Sequence, residues 1–193
     1  MEKHLTQEES LEIINRMVKT ARYKMKESDS YMLLLWGYVV FAAAITHFLL
    51  LHTQYAQYAG AAWLLIIVGI IGSIYFGIKE SKEKTVKTYV DTMMTYTWIA
   101  FGVCIFIVLF FGYKLMMSTY PVILLLYGIS LFISGGAYKF KPLIIGGIVC
   151  WICSVGAFMM EVFSLQILIL AFGVLAGYII PGHLLKSKAA ENV

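Results

Sequence analysis

Residues 30–78 read SYMLLLWGYVVFAAAITHFLLLHTQYAQYAGAAWLLIIVGIIGSIYFGI, without a single Asp, Glu, Lys or Arg. Soluble domains carry roughly one charged residue in four, so a run of this length has lipid as its solvent. A helix rises about 1.5 Å per residue and a bilayer core is about 30 Å thick, so one crossing takes about 20 apolar residues. The run is long enough for two. Its middle, His52-Thr53-Gln54-Tyr55-Ala56-Gln57-Tyr58, is polar enough to turn at the headgroups, which predicts crossings near 31–51 and 58–78.

Working outward, further charge-free runs cover 92–113, 115–138, 142–160 and 162–185. They predict crossings near 95–113, 120–138, 142–160 and 162–180. The expected fold is therefore all-α and polytopic, with six transmembrane helices in a bundle over 31–182. A cytoplasmic segment, 1–30, precedes it and a cytoplasmic tail, 183–193, follows. The whole chain agrees, with 61% hydrophobic and 13% charged residues. Proline is tolerated in a first helical turn and disrupts an interior. Pro121 and Pro142 fall at expected starts, and Pro181-Gly182 reads as the stop of the last crossing.

Positively charged loops are retained in the cytoplasm. Alternate sides place Lys3, Arg16, Lys19, Arg22, Lys24 and Lys26 together with Lys79, Lys82, Lys84 and Lys87, then Lys139, Lys141, Lys186 and Lys188. Only Lys114 falls on the other side. This division predicts that both termini are cytoplasmic, and a missed helix would have spoiled it. The net charge of +4 then reflects topology and attraction to an anionic inner leaflet, with no nucleic-acid partner. Some thirty mostly polar residues precede the first apolar run, which is expected to serve as an uncleaved anchor.

Residues 6–27 read as an amphipathic helix. Thr6 and Glu9 form a capping box, and Leu11, Ile14, Val18, Ala21 and Met25 recur at three and four to make one stripe. Acidic residues crowd its start and basic residues its end, in accord with the helix dipole. Such a helix has three places to rest: the inner leaflet, the underside of the bundle, or a protein partner.

The two halves share short strings in chain order. Leu33-Leu34-Leu35-Trp36-Gly37 parallels Leu124-Leu125-Leu126-Tyr127-Gly128, and Ile99-Ala100-Phe101-Gly102-Val103 parallels Leu170-Ala171-Phe172-Gly173-Val174. Three helices per half would make an inverted 3+3 repeat, the plan of many transporters and channels. A pathway between such halves would be lined by Gly37, Ser73, Gly102, Ser130, Ser154 and Gln166. Small residues four apart, Ser73/Gly77, Ser130/Ser134 and Gly173/Gly177, suit close helix packing, within the bundle or in a homodimer.

Other chemistry is sparse. Cys150-Trp151-Ile152-Cys153 has the spacing of a redox pair but sits in an apolar helix without an activating cation, so packing is expected of it. His47, with Glu161 and Gln166, forms a candidate polar cluster toward the outer ends of the crossings; His52 lies about 140° around the helix from His47 and is not its partner. No Asp, Glu, Lys or Arg falls well inside a crossing, which argues against a pump built on a central carboxylate. No phosphate-binding loop, zinc motif or nucleophile elbow occurs. The expectation is no enzyme, no cofactor and no metal.

Glu9-Ser10-Leu11 with Ile14, ahead of Leu35-Trp36-Gly37, resembles small bacterial inner-membrane proteins of undefined activity. The resemblance implies a bacterial inner membrane and transfers no site residue. Two functions follow from the residues. The leading one is a non-enzymatic membrane protein acting through contacts with the membrane or a partner, in a regulatory or scaffold role. The alternative is a channel or transporter for a small neutral solute.

Overall fold

The computed structural model describes residues 27–82 and 89–190. The expected amphipathic helix over 6–27, with its stripe, lies outside them except for its last residue.

Among the described residues the chain is helical between short turns. Helix α1 runs Glu27–Leu51; a 3-10 stretch, Ala56–Leu65, leads into α2, Ile66–Lys82; α3 is Tyr89–Phe110. After the short turns Gly112–Leu115 and Met116–Ser118 come α4, Thr119–Ala137, and α5, Lys141–Phe158. Helix α6, Phe163–Val174, passes through a π turn, Leu175–Ile179, into α7, Ile180–Ala190. Six of the resulting rods are long and apolar enough to cross a membrane: Asp29–Leu51, Ala56–Lys79, Tyr89–Phe110, Gly112–Ala137, Lys141–Phe158 and Phe163–Ser187.

One expectation is corrected here. Pro181-Gly182 does not stop the last crossing, because the helix continues through both residues to Ala190. A proline ring crowds the carbonyl four residues back and leaves it unpaired. The π turn immediately upstream widens the helix there, so the rod absorbs the proline instead of ending.

A 3-10 segment of ten residues is unusually long. Small side chains permit it. Its buried positions, Ala59 and Ala62, lie three apart, which is the 3-10 period, and this segment packs along α1.

The crossings form two tiers. In spans two and three 11% of the most apolar window is buried, against 44%, 44%, 39% and 50% in spans one, four, five and six. Span two packs on span one and span three on span four, while spans one, four, five and six share the interior. Glycines decide which helices come close. A Cβ at Gly147 would meet the Gly128 carbonyl oxygen at 2.8 Å and the Phe132 nitrogen at 2.9 Å, and one at Gly146 would meet the Gly177 Cα at 2.9 Å. By contrast Gly77 and Gly102, on the outer tier, face open space. In lipid, where helices gain nothing by hiding apolar surface from water, such close contact is a principal source of association.

The turn between α4 and α5 is a Schellman motif. The Phe140 amide donates to the Gly135 carbonyl at 2.9 Å and the Lys139 amide to the Gly136 carbonyl at 3.2 Å. Its left-handed position is filled by Lys139, with φ of 52°, where glycine is the usual choice. Lys186 lies over the Tyr31 ring at 5.4 Å and Tyr31 stacks on Phe76 at 5.9 Å. The ends of spans two and six therefore sit beside the start of span one. A groove shared by Lys139, Lys141 and Leu184 adds the α4–α5 turn. Alternation along the bundle thus gathers Lys79, Lys139, Lys141 and Lys186 at one end and leaves Lys114 at the other.

Gly147→Ala is expected to destabilise the bundle by about 1–3 kcal/mol, because backbone cannot yield to the added methyl. Gly102→Ala is expected to be neutral or mildly stabilising. Thermal unfolding of both variants in the same detergent checks the contrast.

Candidate functional site

The most structured polar site lies at the end opposite the lysine-rich one, around His47. The imidazole is buried, and one ring from each of three other crossings surrounds it: Trp63 at 6.1 Å, Tyr120 at 6.4 Å and Phe163 at 6.0 Å between centroids. Trp63 Nε1 donates to His47 Nδ1 at 2.7 Å, and the Tyr120 hydroxyl approaches the same nitrogen at 3.3 Å. An indole N–H can only donate, so Nδ1 is the acceptor and the imidazole proton rests on Nε2. Trp63 and Tyr120 also stack at 5.9 Å.

Each partner arrives for a local reason. The 3-10 stretch delivers Trp63, the residue after buried Ala62, while Tyr120 and Phe163 stand in the first turns of α4 and α6. Tyr120 and Phe163 also line an open cleft of about 480 Å³ with Gly112, Tyr113, Met116, Met117 and Thr119. Met116 has φ of 45° and ψ of −111°, a conformation that favours glycine, so the cleft is bounded by strained backbone.

The other sequence-derived candidates do not converge on His47. Glu161 is exposed in the turn before α6. Gln166 is buried, and its amide nitrogen donates to the Ala157 and Met160 carbonyls at 3.0 Å each, tying off the end of α5. Ser73 accepts from Trp36 Nε1 at 2.9 Å. Ser130 donates to the Leu126 carbonyl one turn back at 3.1 Å, and Ser154 to the Pro121 carbonyl at 2.8 Å. Gly37 packs on Tyr178 and Ile179. His52 bonds back to the Phe48 carbonyl at 2.9 Å on the exposed face.

Cys150 and Cys153 are free and buried, and the Cys150 thiol donates to the Gly173 carbonyl at 3.4 Å. No group of three His, Cys, Asp or Glu side chains able to hold a metal occurs among the described residues.

Two features were not anticipated. One is the pairing of His47 with Trp63 and Tyr120; Trp63, an indole next to a polar turn, is the signal that could have found it. The other is Tyr178 in the π turn, whose hydroxyl is buried without a hydrogen-bond partner among the described residues. Its ring meets Tyr127 edge-on at 5.1 Å, and Tyr127 stacks on Phe101 at 5.4 Å, which ties span three to the interior.

Comparison with known proteins finds no matching family model, no similar curated protein and no similar solved structure. The class that the fold defines is an all-helical, multi-pass membrane protein.

Trp63→Phe removes one partly buried hydrogen bond and is expected to cost about 1 kcal/mol. In a His47→Leu background the same substitution should cost much less. A double-mutant cycle by unfolding in bicelles measures the difference.

Proposed function

We propose that this chain is a non-enzymatic protein of a bacterial inner membrane, with both termini cytoplasmic, that works through contacts with the membrane or a protein partner. The observation that carries this reading is how the interior is used. Ser73, Ser130, Ser154 and Gln166, the side chains a solute path would need, are each engaged with a backbone carbonyl or a neighbouring ring N–H. The surfaces left for function are the two outer-tier helices, the clefts at the two ends, and the segment of residues 6–27.

The topology draws support from the gathering of Lys79, Lys139, Lys141 and Lys186 at one end, as cytoplasmic retention of cations requires. The inner membrane rests on the resemblance in sequence. The transport reading has less to stand on. Spans four, five and six pack on one another, whereas in the first half, among the described residues, only spans one and two make an extensive contact, so the halves differ in the packing that an inverted repeat would share.

The stripe Leu11, Ile14, Val18, Ala21 and Met25 is the segment on which a regulatory contact would depend. Deleting residues 1–26 is expected to leave the bundle inserted and its melting temperature within a few degrees. The same deletion should abolish the cross-linked species formed in native membranes. An unchanged cross-linking pattern would refute the contact role, and a product at twice the chain mass would identify a second copy as the partner.

A further inference from the structure

The lysine-rich end holds a groove of about 440 Å³ between the α4–α5 turn and α7, lined by Lys139, Phe140, Lys141, Pro142 and Leu184. Its chemistry is divided. Lys139 and Lys141 are exposed at one side, while Phe140 is buried and Leu184 is half-exposed on the flank of the last crossing. Among the described residues no carboxylate lines it. Two polar side chains of α7 beside it are engaged elsewhere: Lys186 lies over the Tyr31 ring, and His183 Nε2 lies 2.7 Å from the Tyr38 hydroxyl.

Lys139 occupies its place at a conformational cost. A left-handed residue with a side chain is less stable than glycine there, and nothing in the Schellman turn itself calls for lysine. An ammonium is held at the groove where the backbone would prefer none.

We infer that this groove binds one anionic phospholipid, with its phosphate between the Lys139 and Lys141 ammonium groups and an acyl chain along Leu184. Ammonium groups hold phosphate as point charges with charge-assisted hydrogen bonds. Basic pockets between crossings at the anionic leaflet are suited to such headgroups. The inference rests on the membrane-spanning reading and adds the class of ligand to it.

The test uses the full chain in nanodiscs of phosphatidylcholine, with and without phosphatidylglycerol, read by thermal unfolding and by native mass spectrometry of retained lipid. Phosphatidylglycerol is expected to raise the melting temperature and to leave one lipid bound. Lys139→Gly and Lys141→Gln should each weaken retention about fivefold, and Lys114→Gln at the opposite end should not. Lys139→Gly carries a second signature, because it should melt higher than the parent in phosphatidylcholine alone, where only the backbone relief remains.

Retention of phosphatidylglycerol by the Lys139→Gly/Lys141→Gln double variant at the parent's level would overturn the inference. So would equal protection by inorganic phosphate in phosphatidylcholine discs, which would assign the groove to a free anion. The discs are symmetric, so chain orientation does not enter; failure of the spanning reading would register separately, as failure to enter the discs.

Discussion

Hydrocarbon neither donates nor accepts a hydrogen bond, and most of this structure follows from that restriction. Every backbone amide and carbonyl within the bilayer needs a partner inside the protein, which helices and closed barrels provide, and here each crossing is helical, with 3-10 and π turns where the local packing calls for them. The same restriction governs side chains. Ser130 and Ser154 reach carbonyls, Trp36 reaches Ser73, Gln166 ties two carbonyls at the end of α5, and His47 receives the Trp63 indole. Such bonds engage most of the interior's polar side chains locally; among the described residues the Ser134 hydroxyl, the Gln166 amide oxygen and the Tyr178 hydroxyl are the buried side-chain polar atoms left without a partner.

Association of the helices then depends on how closely they can approach. Spans four, five and six meet through Gly128, Gly135, Gly146, Gly147, Gly173 and Gly177, each with a neighbour that an added Cβ would strike. Span one joins them through Gly37 against Ile179 and Tyr178, and through the His47 cluster. In spans two and three, Gly60, Gly77 and Gly102 meet nothing, while Gly69 and Gly72 meet only the flexible or aromatic side chains of Trp36 and Leu35 on span one. Glycine contact with a neighbour's backbone is thus confined to the inner tier, and the two-tier arrangement is the consequence. Tyr127, between Tyr178 and Phe101, Trp63, between His47 and Tyr120, and Phe76, on Tyr31, are aromatic links that fasten the outer tier to the inner one.

The six crossings were legible in the residues because charge is excluded from lipid over whole runs, a signal that needs no tertiary knowledge. Pro121 and Pro142 marked helix starts correctly. Pro181 misled, since its effect depends on a π turn at Leu175–Ile179 that no local pattern announces. That His47 and His52 do not act as a pair was legible, and His52 in fact falls in the turn just past the end of α1. The partners of His47 were not legible, because Trp63 and Tyr120 come from other crossings and their approach depends on packing. For the same reason, Ser73, Ser130, Ser154 and Gln166 read as one pathway in sequence while the fold assigns each a separate bond.

The central claim is that six crossings gather the cations of alternate loops on one side of the membrane. It is tested most directly in intact cells, with single cysteines placed at 114, 139 and 186 in a background whose native cysteines are alanine, using a membrane-impermeant maleimide. The account predicts that position 114 is labelled from outside, and that 139 and 186 are labelled only after the membrane is opened. Labelling of position 139 or 186 in intact cells, with 114 protected, would contradict it.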